Sequence, residues 1–211
     1  EWGATSWGAV FFDYDDDGWL DLFVANGFVD ADALVPEGRA QPDALLHGEG
    51  DGRFAPAGEG GAAWDRGEAR GAAAADWDGD GDLDLAVGRV ALGAAPASVL
   101  LLRNRAGDGV GGAGGGGFVA VRLEGTVSNR DGVGARAVLT AGGGAFVRTA
   151  ERSGGGGFLS AGAPALRFGL GGRPAADAVD VYWPSGLHDR FEGPLAAGTT
   201  LAAVEGAAPA P

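Results

Sequence analysis

The stretch Gly8-Ala-Val-Phe-Phe-Asp-Tyr-Asp-Asp-Asp-Gly-Trp-Leu-Asp-Leu-Phe-Val-Ala25 decides how this chain is read. Asp13, Asp15, Asp17 and Asp21 fall at the first, third, fifth and ninth places of one acidic window, with Gly18 at the sixth. Alternate side chains of a tight loop converge, so this spacing brings carboxylates together, and glycine allows the sharp turn between them. Trp19, at the seventh place, can add its backbone carbonyl. The runs Val10–Phe12 and Leu22–Val24 on either side are short, aromatic and β-branched, which predicts strands.

The pattern recurs in Gly71-Ala-Ala-Ala-Ala-Asp-Trp-Asp-Gly-Asp-Gly-Asp-Leu-Asp-Leu-Ala-Val-Gly88. Here Asp76, Asp78, Asp80 and Asp84 take the four carboxylate places, Gly81 the turn, and Asp82 the carbonyl place. Each copy is followed by an apolar run entering a Gly/Asp turn, Leu45–Phe54 and Leu100–Gly109. Calcium is a hard cation that takes about six to eight oxygens in flexible geometry. Four or five carboxylates crowded without a cation repel one another. The spacing therefore predicts two Ca2+ sites rather than two solvated acidic turns. An EF-hand is excluded, because its bidentate acid at the twelfth place is Val24 or Val87 here and helices do not flank the loops. Ala72–Ala75 has helix propensity, so the strand before the second loop carries the weaker signal.

Charge agrees with this reading. The net charge is −14, and ten of the 20 Asp lie in the two windows. The acidity is thus largely a property of the loops. It excludes nucleic acid and anionic membrane surfaces as partners, since phosphate binding needs a basic face. No Cys is present, which removes disulfides and thiolate zinc sites. No apolar run approaches the ~20 residues of a membrane helix, so membrane insertion is not expected. The chain has no Met, and its first residue, Glu1, reads as the start of a mature or truncated piece.

The domain reading is 1–110 for the repeats, 111–117 for a Gly-rich linker, 118–206 for a second β domain and 207–211 for an Ala/Pro tail. In the second domain Val119, Val121 and Leu123 alternate with Ala120, Arg122 and Glu124, a half-buried strand. Similar runs at Ala135–Thr140, Ala145–Ala150, Leu166–Leu170, Val179–Trp183 and Thr199–Val204 predict a small β-sandwich. Ser128–Gly134 reads as a turn built on Asn129 and Asp131. Gly154–Gly157 reads as a flexible hairpin tip, and alternation puts one of Tyr182 and Trp183 in the core. His47 and His188 have no second His or Cys set around them and Ser185 is in no nucleophile elbow, so no catalytic residue is expected.

The phrase Trp7–Gly27 resembles the FG-GAP/VCBS-type repeats, calcium-bearing blades of β-propellers. Val121–Ala135, Gly154–Ser160, Phe168–Gly171 and Val181–Gly186 resemble the ASPIC/UnbV domain, and the two in this order resemble cartilage-acidic-protein-like proteins. The resemblance implies an all-β chain, partial β-propeller blades followed by the small β-sandwich. It also implies calcium binding and extracellular interaction rather than catalysis. The expected function is a calcium-binding extracellular or surface scaffold or adhesion module, secreted, periplasmic or at the cell surface, with a protein or polysaccharide partner. A structural subunit of a calcium-stabilised filament is the alternative, and a carbohydrate-active enzyme stands behind both. Propellers close with roughly four to eight blades. Two copies do not close a ring, so missing N-terminal blades or self-assembly is expected to cover the open edges.

Overall fold

A computed structural model describes residues 4–28, 41–57, 66–91, 96–106 and 117–208. Most of the 111–117 linker, the end of the 207–211 tail and most of the polar connections lie outside the described residues. The described residues form strands and turns with no helix, so the chain is all-β as expected. It divides into two compact units. The first comprises Glu1–Tyr14, Trp19–Asn104 and Gly155–Gly162, and the second Asp15–Gly18, Arg105–Gly154 and Ala163–Pro211.

In the first unit β1 (Ser6–Phe12) and β2 (Asp21–Asn26) form a hairpin whose loop is the first acidic window. A two-residue β3 (Gln41–Pro42) precedes β4 (Ala44–Gly48) and β5 (Phe54–Pro56), and the blade-like sheet runs β1-β2-β4-β5. After β6 (Arg66–Gly67), which pairs with β3, the same plan repeats. β7 (Ala69–Ala75) and β8 (Asp84–Arg89) form a hairpin around the second acidic window, and β9 (Ser98–Leu102) adds to β8. The pairing is equivalent in both: Phe12 faces Asp21, and Ala75 faces Asp84.

The alanine run is a strand despite its helix propensity, because packing overrides intrinsic preference. Val10, Phe12 and Phe23 of the first sheet share one core with Ala72, Ala74, Leu85 and Val87 of the second. A side chain at Gly8 would meet the Arg70 carbonyl at 2.8 Å, so the backbones of β1 and β7 approach closely and position 8 accepts no side chain without a shift. Phe12 and Phe23 are buried in this core, whereas Phe11, the neighbour of Phe12, points outward. Phe12 and Phe23 are thus covered by the second repeat.

The expected hairpin tip at Gly154–Gly157 is not a free tip. Gly155–Gly162 belongs to the first unit, where Phe158 lies against Trp7 with ring centroids 5.3 Å apart. A Cβ on Gly157 would sit 3.0 Å from the Ala9 carbonyl oxygen, and one on Gly162 3.1 Å from that of Ala74. The glycines serve close approach to the backbones of β1 and β7.

The second unit contains β10 (Phe118–Glu124), β11 (Arg136–Ala141), β12 (Phe146–Glu151), β13 (Leu166–Gly169), β14 (Ala175–Tyr182), β15 (His188–Ala196) and β16 (Thr199–Val204). They form a three-stranded sheet, β13-β10-β16, and a four-stranded sheet, β12-β11-β14-β15. Both sheets contribute to one core of Val119, Val121, Leu139, Phe168, Val179 and Val181. This is the expected sandwich, with β15 the strand that its polar sequence concealed. Trp183 is the buried member of the aromatic pair and donates Nε1–H to Asp189 at 2.7 Å, while Tyr182 stacks on His188.

The Ser128–Gly134 run forms the turn expected of it, with Asn129 accepting from the Val133 N–H and donating to its carbonyl. It also anchors the C-terminal strand. The Glu205 carboxylate accepts N–H bonds from Thr126, Val127 and Ser128, and O–H bonds from Ser128 and Ser185. Removal from water raises its pKa. The bonds from Ser185, Ser128 and Val127 outweigh that and hold it down at about 2, below the usual 4.5. The folded-state pKa is depressed, so the stabilisation is fully present above pH 4.5 and is lost as pH falls toward about 2. Glu205→Gln is therefore expected to melt below the native chain at neutral pH, with the gap narrowing across that window. A gap that stays constant with pH would contradict this assignment.

Candidate metal centre

Each acidic window is the loop of a β-hairpin, and the backbone explains its residue types. Gly18 and Gly81, at the sixth place, have φ of 92° and 101°, the left-handed turn that glycine adopts readily. The fourth place is left-handed too, with Asp16 at 56° and Gly79 at 78°. Aspartate tolerates that region better than most residues.

The ninth-place carboxylates are the buried anchors. Asp21 is fully buried and accepts N–H bonds from Tyr14 and Gly48, each at 2.8 Å, with the His47 imidazole 3.2 Å away. Asp84 is equally buried and accepts from Trp77 at 3.3 Å and Asn104 at 2.7 Å. One carboxylate in each loop thus ties the loop to the following strand of its sheet. Burial raises the Asp84 pKa against the pull of those two N–H bonds, and the charges of Asp78 and Asp80 raise it further.

The remaining acids gather around these anchors. Asp13, Asp15 and Asp21 each offer an oxygen within 4.8 Å of the others, and so do Asp76, Asp78 and Asp84. The same three places converge in both loops. Asp80 lies outside the second trio and Asp17 outside the first, although Asp17 groups with Asp15 and His47. Of the seventh-place residues, the Trp19 side chain is exposed, and Asp82 is half-buried and donates its N–H to Asp80 at 3.0 Å.

Four features escape the sequence pattern. His47 joins the acids of the first loop, although no His spacing announces it. Asp16 is held in the second unit by Arg167, through Nε at 3.0 Å and Nη2 at 2.7 Å, rather than serving its own loop. Asn104 donates its side-chain N–H groups to the carbonyls of Tyr14 at 2.6 Å and Leu83 at 3.1 Å, one residue from each loop. Arg103 bonds Asp78 and Asp80 at 2.7 Å each, and its bond holds the Asp80 pKa below the usual value, helped by the Asp82 N–H. Asn104 shares its loop with Arg103, and a Gly/Asp-turn reading assigns neither a role.

The donor set fits a hard cation. The two equivalent trios are all carboxylate, and in the second loop a guanidinium spans two of the acids as a counter-cation would. These acidic groups can hold a metal ion.

An FG-GAP-like repeat family matches residues 13–87, and a family described as ASPIC and UnbV matches residues 125–210. No curated protein sequence matches the chain closely. Among the described residues no helix is long and apolar enough to cross a membrane. The two matched domains suggest an extracellular or surface module of the adhesion type. The chain carries an FG-GAP-like repeat followed by an ASPIC/UnbV domain.

Proposed function

We propose that the chain is a calcium-stabilised extracellular or surface scaffold or adhesion module, non-enzymatic, with a protein or polysaccharide partner. The observation that carries this reading is the equivalent convergence of Asp13, Asp15 and Asp21 and of Asp76, Asp78 and Asp84 in two hairpin loops. Calcium would be held in the first loop by Asp13, Asp15, Asp17 and Asp21 with the Trp19 carbonyl. In the second, Asp76, Asp78, Asp80 and Asp84 with the Asp82 carbonyl would hold it. A bound ion supplies charge that offsets the carboxylate repulsion and rigidifies the loops. The anchors Asp21 and Asp84 keep each loop on its sheet, so the ion stabilises a pre-set hairpin. The acids serve metal spacing, which leaves no separate carboxylate pair for hydrolysis among the loop residues.

Calorimetric titration tests the reading. Calcium is expected to bind two ions per chain at ~10⁻⁵–10⁻³ M, the range of extracellular modules, and magnesium more weakly because it demands rigid octahedral geometry. Absence of calcium heat, or equal magnesium binding, would overturn it.

A further inference from the structure

The second loop already contains a cation that the chain supplies. Arg103 follows β9 and spans two carboxylates at once, Nε to Asp78 and Nη2 to Asp80, each at 2.7 Å. These are the third- and fifth-place acids, assigned above to calcium. The first loop has a different residue at the equivalent point. The Gly48 N–H reaches Asp21 as the Asn104 N–H reaches Asp84, so the preceding residues, His47 and Arg103, correspond. An imidazole can be neutral and then adds no charge against a bound cation, whereas a guanidinium is always charged and has no lone pair to offer. The residue leaning on the acids is thus compatible with a metal in one loop and competes with it in the other.

We propose that Arg103 is a built-in competitor for calcium, so that the ion fills the first loop first and enters the second only as the guanidinium is displaced. This rests on the calcium reading above. Two cations cannot share Asp78 and Asp80 at contact distance without strong repulsion. Arg103 is 45% exposed, so its bridge is solvent-screened and it can swing away into water. In calcium-poor conditions it offsets the mutual repulsion of the second loop, and in calcium-rich conditions it yields. The repeat thereby carries one site that fills early and one that responds to a higher calcium concentration.

The test uses the full chain, native and Arg103→Gln, in calcium calorimetry and in thermal melts with chelator or saturating calcium. The native chain is expected to show one tighter and one weaker ion. Arg103→Gln should tighten the weaker ion by about tenfold, the scale of one lost charge-assisted contact, and leave the tighter one unchanged. It should melt below the native chain in chelator, and level with or above it in calcium. An arginine with a merely structural role would lower both melts. Arg103→Lys, which keeps the charge but loses the fork, should fall between the two and serves if the glutamine variant does not fold. Two ions still binding with the weaker affinity unchanged or reduced would overturn the competition and leave the calcium reading standing. No calcium heat from either protein would overturn both.

Discussion

Asp21→Ala is expected to destabilise the first unit by about 3 kcal/mol, measured by urea unfolding in chelator so that no metal contributes. The magnitude follows from what the carboxylate satisfies. Asp21 is fully buried and receives the Tyr14 and Gly48 N–H groups at 2.8 Å each. Truncation leaves the buried Gly48 donor and the part-buried Tyr14 donor without their acceptor, and an unsatisfied buried donor costs about 1–3 kcal/mol. The Tyr14 bond closes the acidic loop, and the Gly48 bond fastens β4 to the start of β2, so the loss falls on both. Asp21→Asn keeps one acceptor oxygen and is expected to lose less. A loss under about 1 kcal/mol for Asp21→Ala would mean that the aspartate serves the metal alone and not the fold.

Phe23→Ala is expected to cost about 3–5 kcal/mol, the range for emptying an aromatic site in a core. Phe23 is 0% exposed and joins Val10 and Phe12 with the alanines and Val87 of the second repeat. The small residues around it belong to fixed strands, so the space cannot collapse. Phe11→Ala is the control. Phe11 is in the same hairpin, paired with Leu22, but is 58% exposed, with the Phe54 ring 6.1 Å away. It is expected to lose less than about 1 kcal/mol. Comparable losses for the two would show that the core is not where the alternation places it.

The two experiments separate local pattern from packing, which is also where reading the sequence succeeds and stops. The acidic loops were legible because all their information lies inside one short window. Carboxylates on alternate places converge, and the glycine turn follows from backbone freedom alone. The strands around the first loop were legible for the same reason, from β-branched and aromatic runs. β7 was harder, because Ala72–Ala75 carries a helical preference that only the close approach of β1 overrides. β15 was missed, because His188-Asp-Arg-Phe-Glu192 shows little apolar alternation and is a strand through its pairing with β14.

The sequence by itself determined the repeat, the two hairpin loops, the all-β class and the sandwich of the second unit. Each acidic loop and each strand run behind these readings depends on spacing within about twenty residues, where chain geometry translates order directly into position. Only the tertiary structure decided which charges meet. Arg167 reaches Asp16 across 151 residues, and Glu205 collects donors from residues 77 to 79 places earlier. Arg103 comes to the second loop because β9 pairs with β8, and His47 comes to the first because β4 pairs with β2. No local rule announces such partners. A salt bridge or a capped carboxylate is fixed by which strands lie side by side, and that is settled by burial of the whole core rather than by the residues that finally touch.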